Sequence, residues 1–85
     1  MIPGKLYEIV HASAGKLSSR NEYGFWQFDW EAGNRTNYLV KVPLGTQVLF
    51  VKNQNGYVFL YGDLMLCCYY NFEKDDVYKD FHLVE

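Results

Sequence analysis

The sequence has few of the residues that build disulfide frameworks and metal centres. Its 85 residues include two cysteines, two histidines and two prolines. Cys67 and Cys68 are adjacent, and neighbours on a strand point to opposite faces, so we predict two thiols and no disulfide. No CxxC or HxxxH spacing occurs. Since zinc sites in proteins use such pairs, we expect no metal and no cofactor.

Long apolar runs and a leader-like start are also missing. No stretch approaches the roughly 18 uninterrupted apolar residues that a membrane-spanning helix needs. The opening residues, MIPGKLYEIV, lack the charged region and long apolar run of a signal peptide. Together with two reduced thiols, these features predict a cytoplasmic protein.

Charge is close to balance, which argues against a general nucleic-acid binder. Eight basic and ten acidic side chains give a net charge of −2. Residues 1–56 carry six basic and four acidic side chains, whereas residues 57–85 carry two and six. The acidic excess therefore lies in the C-terminal third. Glu73, Asp75, Asp76 and Asp80 lack the central glycine and ligand spacing of a calcium loop, and we interpret them as a solvated turn.

Catalytic motifs are scarce. A nucleophile needs a base within hydrogen-bond reach, and His11 and His82 are the only imidazoles in the chain. No serine lies in a GxSxG turn, and the seven glycines are scattered rather than grouped in a phosphate-binding loop. We therefore expect a protein that is not an enzyme.

What the chain does have is aromatic residues and short β-type runs. Eight tyrosines, six phenylalanines and two tryptophans alternate with other apolar residues between Gly, Asn and Asp turns. Asn55-Gly56 and Gly62-Asp63 predict two successive hairpins, and we expect Val48, Phe50, Val58, Leu60 and Leu66 in the core. The predicted strands are 5–12, 23–31, 38–42, 47–52, 57–61 and 81–85. The run 64–72 returns after the second turn, residues 13–22 form a loop, and one helical turn lies within 73–80.

This order predicts a single all-β domain over residues 1–85, formed by five or six antiparallel strands. The segments VPLGTQVLFVKNQNGYVFLYGD and DDVYKDFHLVE resemble the hairpin core and last strand of SH3-like barrels. The resemblance implies a small closed barrel, but the acidic loop and proline-binding signature of SH3 domains are absent, so no ligand residue carries over. The small, aromatic-rich, slightly acidic format also resembles accessory proteins of tailed bacteriophages, which implies a role against host defence or metabolism.

The run YGFWQFDW carries aromatic residues on both faces, and a small barrel can bury only one of them. We predict that Trp26, Phe28 and Trp30 face the core, and that Tyr23 and Phe25 are outward anchors for a partner protein. Asp75, Asp76 and Asp80 would add charge complementarity. The expected function is a non-catalytic module that docks on a partner protein and modulates or inhibits it.

Two alternatives remain open at this point. Aromatic platforms flanked by Arg20 and Arg35 are typical of proteins that bind RNA or single-stranded DNA, although Asp29 and Glu31 in the same run would repel phosphate. An exposed edge strand at YLVKV would instead favour self-assembly. A protein partner is favoured over both.

Overall fold

A computed structural model describes residues 1–12, 17–19, 21–54, 56–68 and 77–84. The described chain is built of strands, with one short 3-10 turn before the last of them. The elements are β1 (Leu6–Ile9), β2 (Leu17–Ser19), β3 (Glu22–Asp29), β4 (Asn34–Pro43), β5 (Gln47–Asn53), β6 (Tyr57–Tyr61), β7 (Leu64–Cys68), the 3-10 turn (Val77–Asp80) and β8 (Phe81–Leu83). The all-β prediction is confirmed, and so is a helical turn directly before the last strand.

All eight strands belong to one antiparallel sheet. The strand order is β2-β3-β7-β6-β5-β1-β8, and β4 pairs with the other side of β3. In the described chain no ladder joins β8 to β2 or β4, so the sheet is open. The prediction of a closed barrel of five or six strands is therefore wrong in both strand number and closure.

The sheet nevertheless curls strongly around one core. Phe81 at one end of the strand order lies 5.4 Å from Tyr23, ring centroid to centroid, and 4.6 Å from Phe59. Strong curvature of this kind follows from the right-handed twist of adjacent strands, which accumulates across a sheet. Backbone hydrogen bonds from Leu44 to Asn21 and from Gly45 to Ile9 join the loop after β4 to other parts of the chain.

The two predicted hairpins are present. β5 pairs with β6, and β6 pairs with β7 through a two-residue turn at Gly62 and Asp63. Gly62 has a φ of +59°, a left-handed conformation that glycine adopts without steric cost. The predicted bounds 57–61 match β6, whereas two other regions differ: β2 lies inside the predicted loop, and β4 begins four residues earlier than expected.

The inner face of the sheet carries the main core. Its buried members are mostly aromatic and come from strands β1, β3, β4, β5, β6, β7 and β8: Tyr7, Ile9, Tyr23, Phe25, Val42, Val48, Phe50, Tyr57, Phe59, Leu66, Cys68 and Phe81. Edge-to-face and tilted ring pairs run through it, with Phe25, Phe50 and Phe81 all packed against Phe59. Aromatic pairs in such geometries add to the stabilisation from burial.

A second, smaller cluster lies on the outer face of the same sheet. Phe28, Val58 and Cys67 are buried there, and Val51 and Met65 pack against them. Four of the five predicted core residues are buried, but Val58 belongs to this outer cluster and Leu60 is half-buried. β6 and β7 are therefore covered on both faces.

Candidate functional site

The predicted orientation of β3 is reversed. Tyr23 and Phe25 are fully buried in the main core, so they are not outward anchors. Phe28 is buried in the outer cluster, Trp26 is half-buried, and Trp30 is 56% exposed. The alternation along the strand was predicted correctly, but both alternating sets are aromatic, and polarity alone could not decide which set faces inward.

Asp80 does not lie on an acidic contact surface either. Its carboxylate is fully buried, and Oδ2 accepts a 2.9 Å hydrogen bond from the Tyr23 hydroxyl. Asp80 is therefore part of the interior, and the prediction that it contacts a partner is wrong. Asp75 and Asp76 lie outside the described residues, as does Arg20.

Burial raises the pKa of the Tyr23 phenol far above its usual range. The nearby Cys68 thiol and the Asp80 carboxylate raise it further, because negative charge on either disfavours a phenolate. Tyr23 therefore stays protonated and continues to donate to Asp80 at all ordinary pH values. This interaction holds β3 to the 3-10 turn and is structural in character.

The outer face of β3 carries the most distinctive exposed surface of the described chain. We call it the outer patch and define it as Trp26, Phe28, Trp30, Arg35 and Lys52. Trp30 packs edge-to-face on Phe28 at 6.2 Å between ring centroids. This contact fixes an exposed indole on a buried ring.

Two cations cover the aromatic rings of the outer patch. The Arg35 guanidinium lies 4.4 Å from the centroid of the Trp26 ring, and Lys52 Nζ lies 4.4 Å from that of Trp30. Lys52 Nζ is also 5.7 Å from the Phe28 ring. Cation–π contacts at such distances are attractive and restrict both partners. The outer patch is therefore an ordered surface rather than a set of separate side chains.

The turn after β3 is held in place from two sides. Asp29 Oδ1 accepts hydrogen bonds from the backbone nitrogens of Glu31 and Ala32, at 3.0 and 3.1 Å. Gln54 Nε2, beyond β5, donates a 2.9 Å bond to the carbonyl oxygen of Gly33. The tip of the β3–β4 hairpin is thus fastened to the β5–β6 hairpin, and this positions Trp30 next to Lys52.

Exposed apolar side chains also lie on the neighbouring strand β4, where Leu39 continues the face of the outer patch. Tyr38 is 70% exposed, and Leu39, opposite Trp26 in the ladder, is 49% exposed. Beside them the ladder is irregular between Trp26 and Phe28. Thr36 Oγ1 spans this irregularity, because it donates to the Gln27 carbonyl at 3.0 Å and accepts from the Tyr38 nitrogen at 3.2 Å.

The comparisons with known proteins gave no match, whether with protein-family models, curated proteins or solved structures. The SH3-like and bacteriophage resemblances therefore stay predictions. In the described part of the chain, no helix is both long and apolar enough to cross a membrane.

The histidines and cysteines, which are the other candidate functional groups, differ in burial. His11 and His82 are exposed, whereas Cys67 and Cys68 are buried and neither forms a disulfide. Within the described ranges, no three His, Cys, Asp or Glu side chains come together in a way that could hold a metal ion. The basic residues Arg35 and Lys52 were the sequence signal for the outer patch. They come within reach of the tryptophan-rich strand only when the hairpins pair, so their spacing along the chain does not show the contact.

Proposed function

We propose that this protein is a non-catalytic interaction module that binds a partner protein through the outer patch. The observation that carries the proposal is the exposed indole of Trp30, packed on Phe28 and covered by Lys52. Trp and Arg are enriched among the residues that dominate binding energy at protein interfaces. An indole held in one orientation also loses little conformational freedom when a partner binds, which favours affinity.

The burial of both thiols, each only 2% exposed, supports a binding role over thiol catalysis. The exposed histidines belong to the surface, and the thiols belong to the two clusters on either side of β7. A thiol nucleophile would need a base within about 3 Å and access to substrate. Under the resemblance to bacteriophage accessory proteins, the partner would be a host protein that the module modulates or inhibits.

The test compares two exposed aromatic residues on different parts of the sheet. Trp30 belongs to the outer patch, and Tyr61, at the end of β6, is 36% exposed. The wild-type protein is used to capture partners from cells, the captured protein is identified and purified, and its affinity is measured by calorimetry. Trp30→Ala should weaken binding about tenfold or more, whereas Tyr61→Ala should leave it unchanged.

A folded Trp30→Ala variant that binds the purified partner like wild type would contradict the proposal. Lys52→Ala gives a second reading, because it removes the cation over Trp30 and leaves the ring in place. We expect a smaller loss of affinity for Lys52→Ala than for Trp30→Ala. Thermal unfolding of each variant shows that the fold is retained.

Single-stranded nucleic acid is the second candidate ligand, and the Arg35–Trp26 contact favours it. Stacked cations and rings are the elements that bind bases and phosphates without sequence preference. Asp29 at the end of β3 and Glu31 in the turn that follows are both exposed, and they oppose phosphate binding. Titration with oligo(dT) or oligo(U) at low salt, followed by tryptophan fluorescence, tests this directly. Salt-sensitive quenching that Arg35→Ala abolishes would favour nucleic acid over a protein partner.

A further inference from the structure

Within the part of the chain that the structure describes, the longest strand of the sheet has one side without a ladder. β4 spans ten residues and pairs only with β3 in the described chain. β2 and β7 occupy the opposite side of β3, at its two ends. Among the described residues, the outer side of β4 is therefore a sheet edge, next to the outer patch.

The register shows which backbone groups of β4 point away from β3. Leu44 donates a backbone hydrogen bond to Asn21 at 2.8 Å, in the same register as the β3–β4 ladder. Hydrogen-bonded pairs alternate along an antiparallel ladder, so the backbone of Val40 bonds to β3. The backbone amides and carbonyls of Leu39 and Lys41 consequently point outward, in the pattern that an added strand would bond.

The charge of β4 selects between possible occupants. The strand carries Arg35 and Lys41, both exposed, and no acidic residue. Two copies paired through the regular part of this edge would bring their Lys41 side chains close together, and like charges on adjacent strands are destabilising. An acidic segment would instead place a carboxylate beside Lys41. A polypeptide also offers alternating backbone donors and acceptors, which a phosphodiester chain lacks.

We propose that the outer edge of β4 binds an extended, acidic segment of the partner protein as an added strand. This inference rests on the proposed function, since it assumes that the partner is a protein. Backbone hydrogen bonds to Leu39 and Lys41 supply affinity in such complexes, and side chains supply selectivity. The exposed side chain of Leu39 provides an apolar contact on the same face as Lys41.

The edge also limits what it can bind. Pro43 has no backbone donor, and the irregularity opposite Gln27 interrupts the strand further along. Charged side chains, prolines and bulges are the devices by which sheet edges avoid indiscriminate pairing. The regular stretch is centred on Leu39 to Lys41, so the added strand is short.

The probe for this edge is an acetylated, amidated eight-residue peptide that alternates threonine and glutamate. Chemical-shift changes in the wild-type protein should centre on Leu39 and Lys41. A peptide with lysine in place of glutamate tests whether binding depends on the negative charge. A peptide with alternate backbone nitrogens methylated tests whether binding depends on backbone hydrogen bonds to β4. We expect each change to weaken binding about tenfold or more, since it removes either the ion pairs or several backbone hydrogen bonds.

Two protein variants distinguish the contribution of the Lys41 charge to peptide binding from that of the Lys41 backbone N–H. Lys41→Thr removes the cation and keeps the backbone donor, whereas Lys41→Pro removes both. Lys41→Pro should bind the glutamate peptide more weakly than Lys41→Thr, and both should unfold at temperatures near that of wild type. If Lys41→Pro fails to fold, the methylated peptide against wild type still decides the matter.

Equal binding of the methylated and unmethylated peptides would overturn the inference, as would shifts confined to the outer patch or no binding at all. A dimer in sedimentation that Lys41→Pro abolishes would overturn it in favour of a second copy. If the edge of β4 does not bind the peptide, the proposal for the outer patch is unaffected, because that proposal is tested separately with Trp30→Ala and an identified partner. Loss of partner binding in Trp30→Ala with normal binding in Lys41→Pro would retain the first proposal and reject the second.

Discussion

The Tyr23 hydroxyl donates a 2.9 Å hydrogen bond to Oδ2 of Asp80, across 57 residues of sequence. Both side chains are fully buried, one at the start of β3 and the other at the end of the 3-10 turn. The Asp80 carbonyl also accepts a bond from the Val10 nitrogen at 2.8 Å. Asp80 therefore connects three parts of the chain, and its identity matters for folding rather than for surface charge.

Replacing Asp80 should destabilise the protein because it leaves a buried phenol without its acceptor. We expect Asp80→Ala to lower the free energy of unfolding by about 1–3 kcal/mol. Chemical denaturation of Asp80→Ala, Tyr23→Phe and the double variant gives the coupling between the two groups. Tyr38→Phe, at an exposed phenol, is the matched control and should change stability by less than about 0.5 kcal/mol. Additive losses in the cycle would show that the bond contributes nothing.

The buried Tyr23 phenol predicts a loss of stability at alkaline pH. Its pKa is raised in the folded protein, so the native state keeps this proton above pH of about 10 while the unfolded chain loses it. The contribution is complete below that pH, and stability should fall above it by about 1.4 kcal/mol per pH unit from this group. Denaturation at a series of pH values checks the slope, which should be shallower by that amount in Tyr23→Phe. An unchanged slope would mean that Tyr23 titrates normally.

Truncation of Phe25 should lower stability much more than truncation of Trp30. Phe25 is fully buried against Tyr23, Phe59 and Phe81, so Phe25→Ala should cost about 3–5 kcal/mol. Trp30→Ala removes a ring that is more than half exposed and should cost about 1 kcal/mol or less. Thermal and urea unfolding of both variants measure the difference. A larger loss for Trp30→Ala than for Phe25→Ala would reverse the two faces of β3.

The cysteines should react slowly in the native protein. Cys67 and Cys68 point to opposite faces of β7, and both are only 2% exposed. A thiol reagent should therefore label neither quickly under native conditions and both in denaturant. Finding fewer than two reactive thiols in denaturant without reductant would show that a disulfide forms.

Gly33 should not accept a side chain. Its φ is +68°, and a Cβ built there lies 2.8 Å from Gln54 Nε2. Gly33→Ala should cost about 1–2 kcal/mol from backbone strain and from displacement of the Gln54 side chain. In a Gln54→Ala background the same change should cost less, because only the strain remains. Equal costs in both backgrounds would show that the contact is not formed.

The hairpins could be predicted from sequence because their turns are local chemistry. The sequence signals Asn55-Gly56 and Gly62-Asp63 predict two chain reversals, and the described strands β5, β6 and β7 lie on either side of those positions. The start of β4 could not be predicted, since Asn34, Arg35 and Thr36 are polar residues of a turn-like segment. They form a strand because the hairpin partner supplies the ladder and solvent accepts their side chains.

The outer patch could not be predicted for a related reason. Alternation identifies two faces, but it cannot choose between two aromatic faces, and ring size favours the face that the structure leaves partly exposed. The choice depends on which side chains find polar partners inside. Tyr23 can be buried because Asp80 lies within reach of its hydroxyl, and that pairing is set by the curl of the whole sheet.

Coverage of β6 on both faces changes how its register is maintained. In a strand with one polar face, a slip of one residue is unfavourable because it exposes the apolar side chains to water and buries the polar ones. In β6 the same slip would exchange Tyr57 and Phe59 for Val58 and Leu60, which are also apolar. Side-chain size and the two flanking turns must then maintain the register, because polarity does not. We therefore expect β6 to tolerate few changes of side-chain volume, even between two hydrophobic residues.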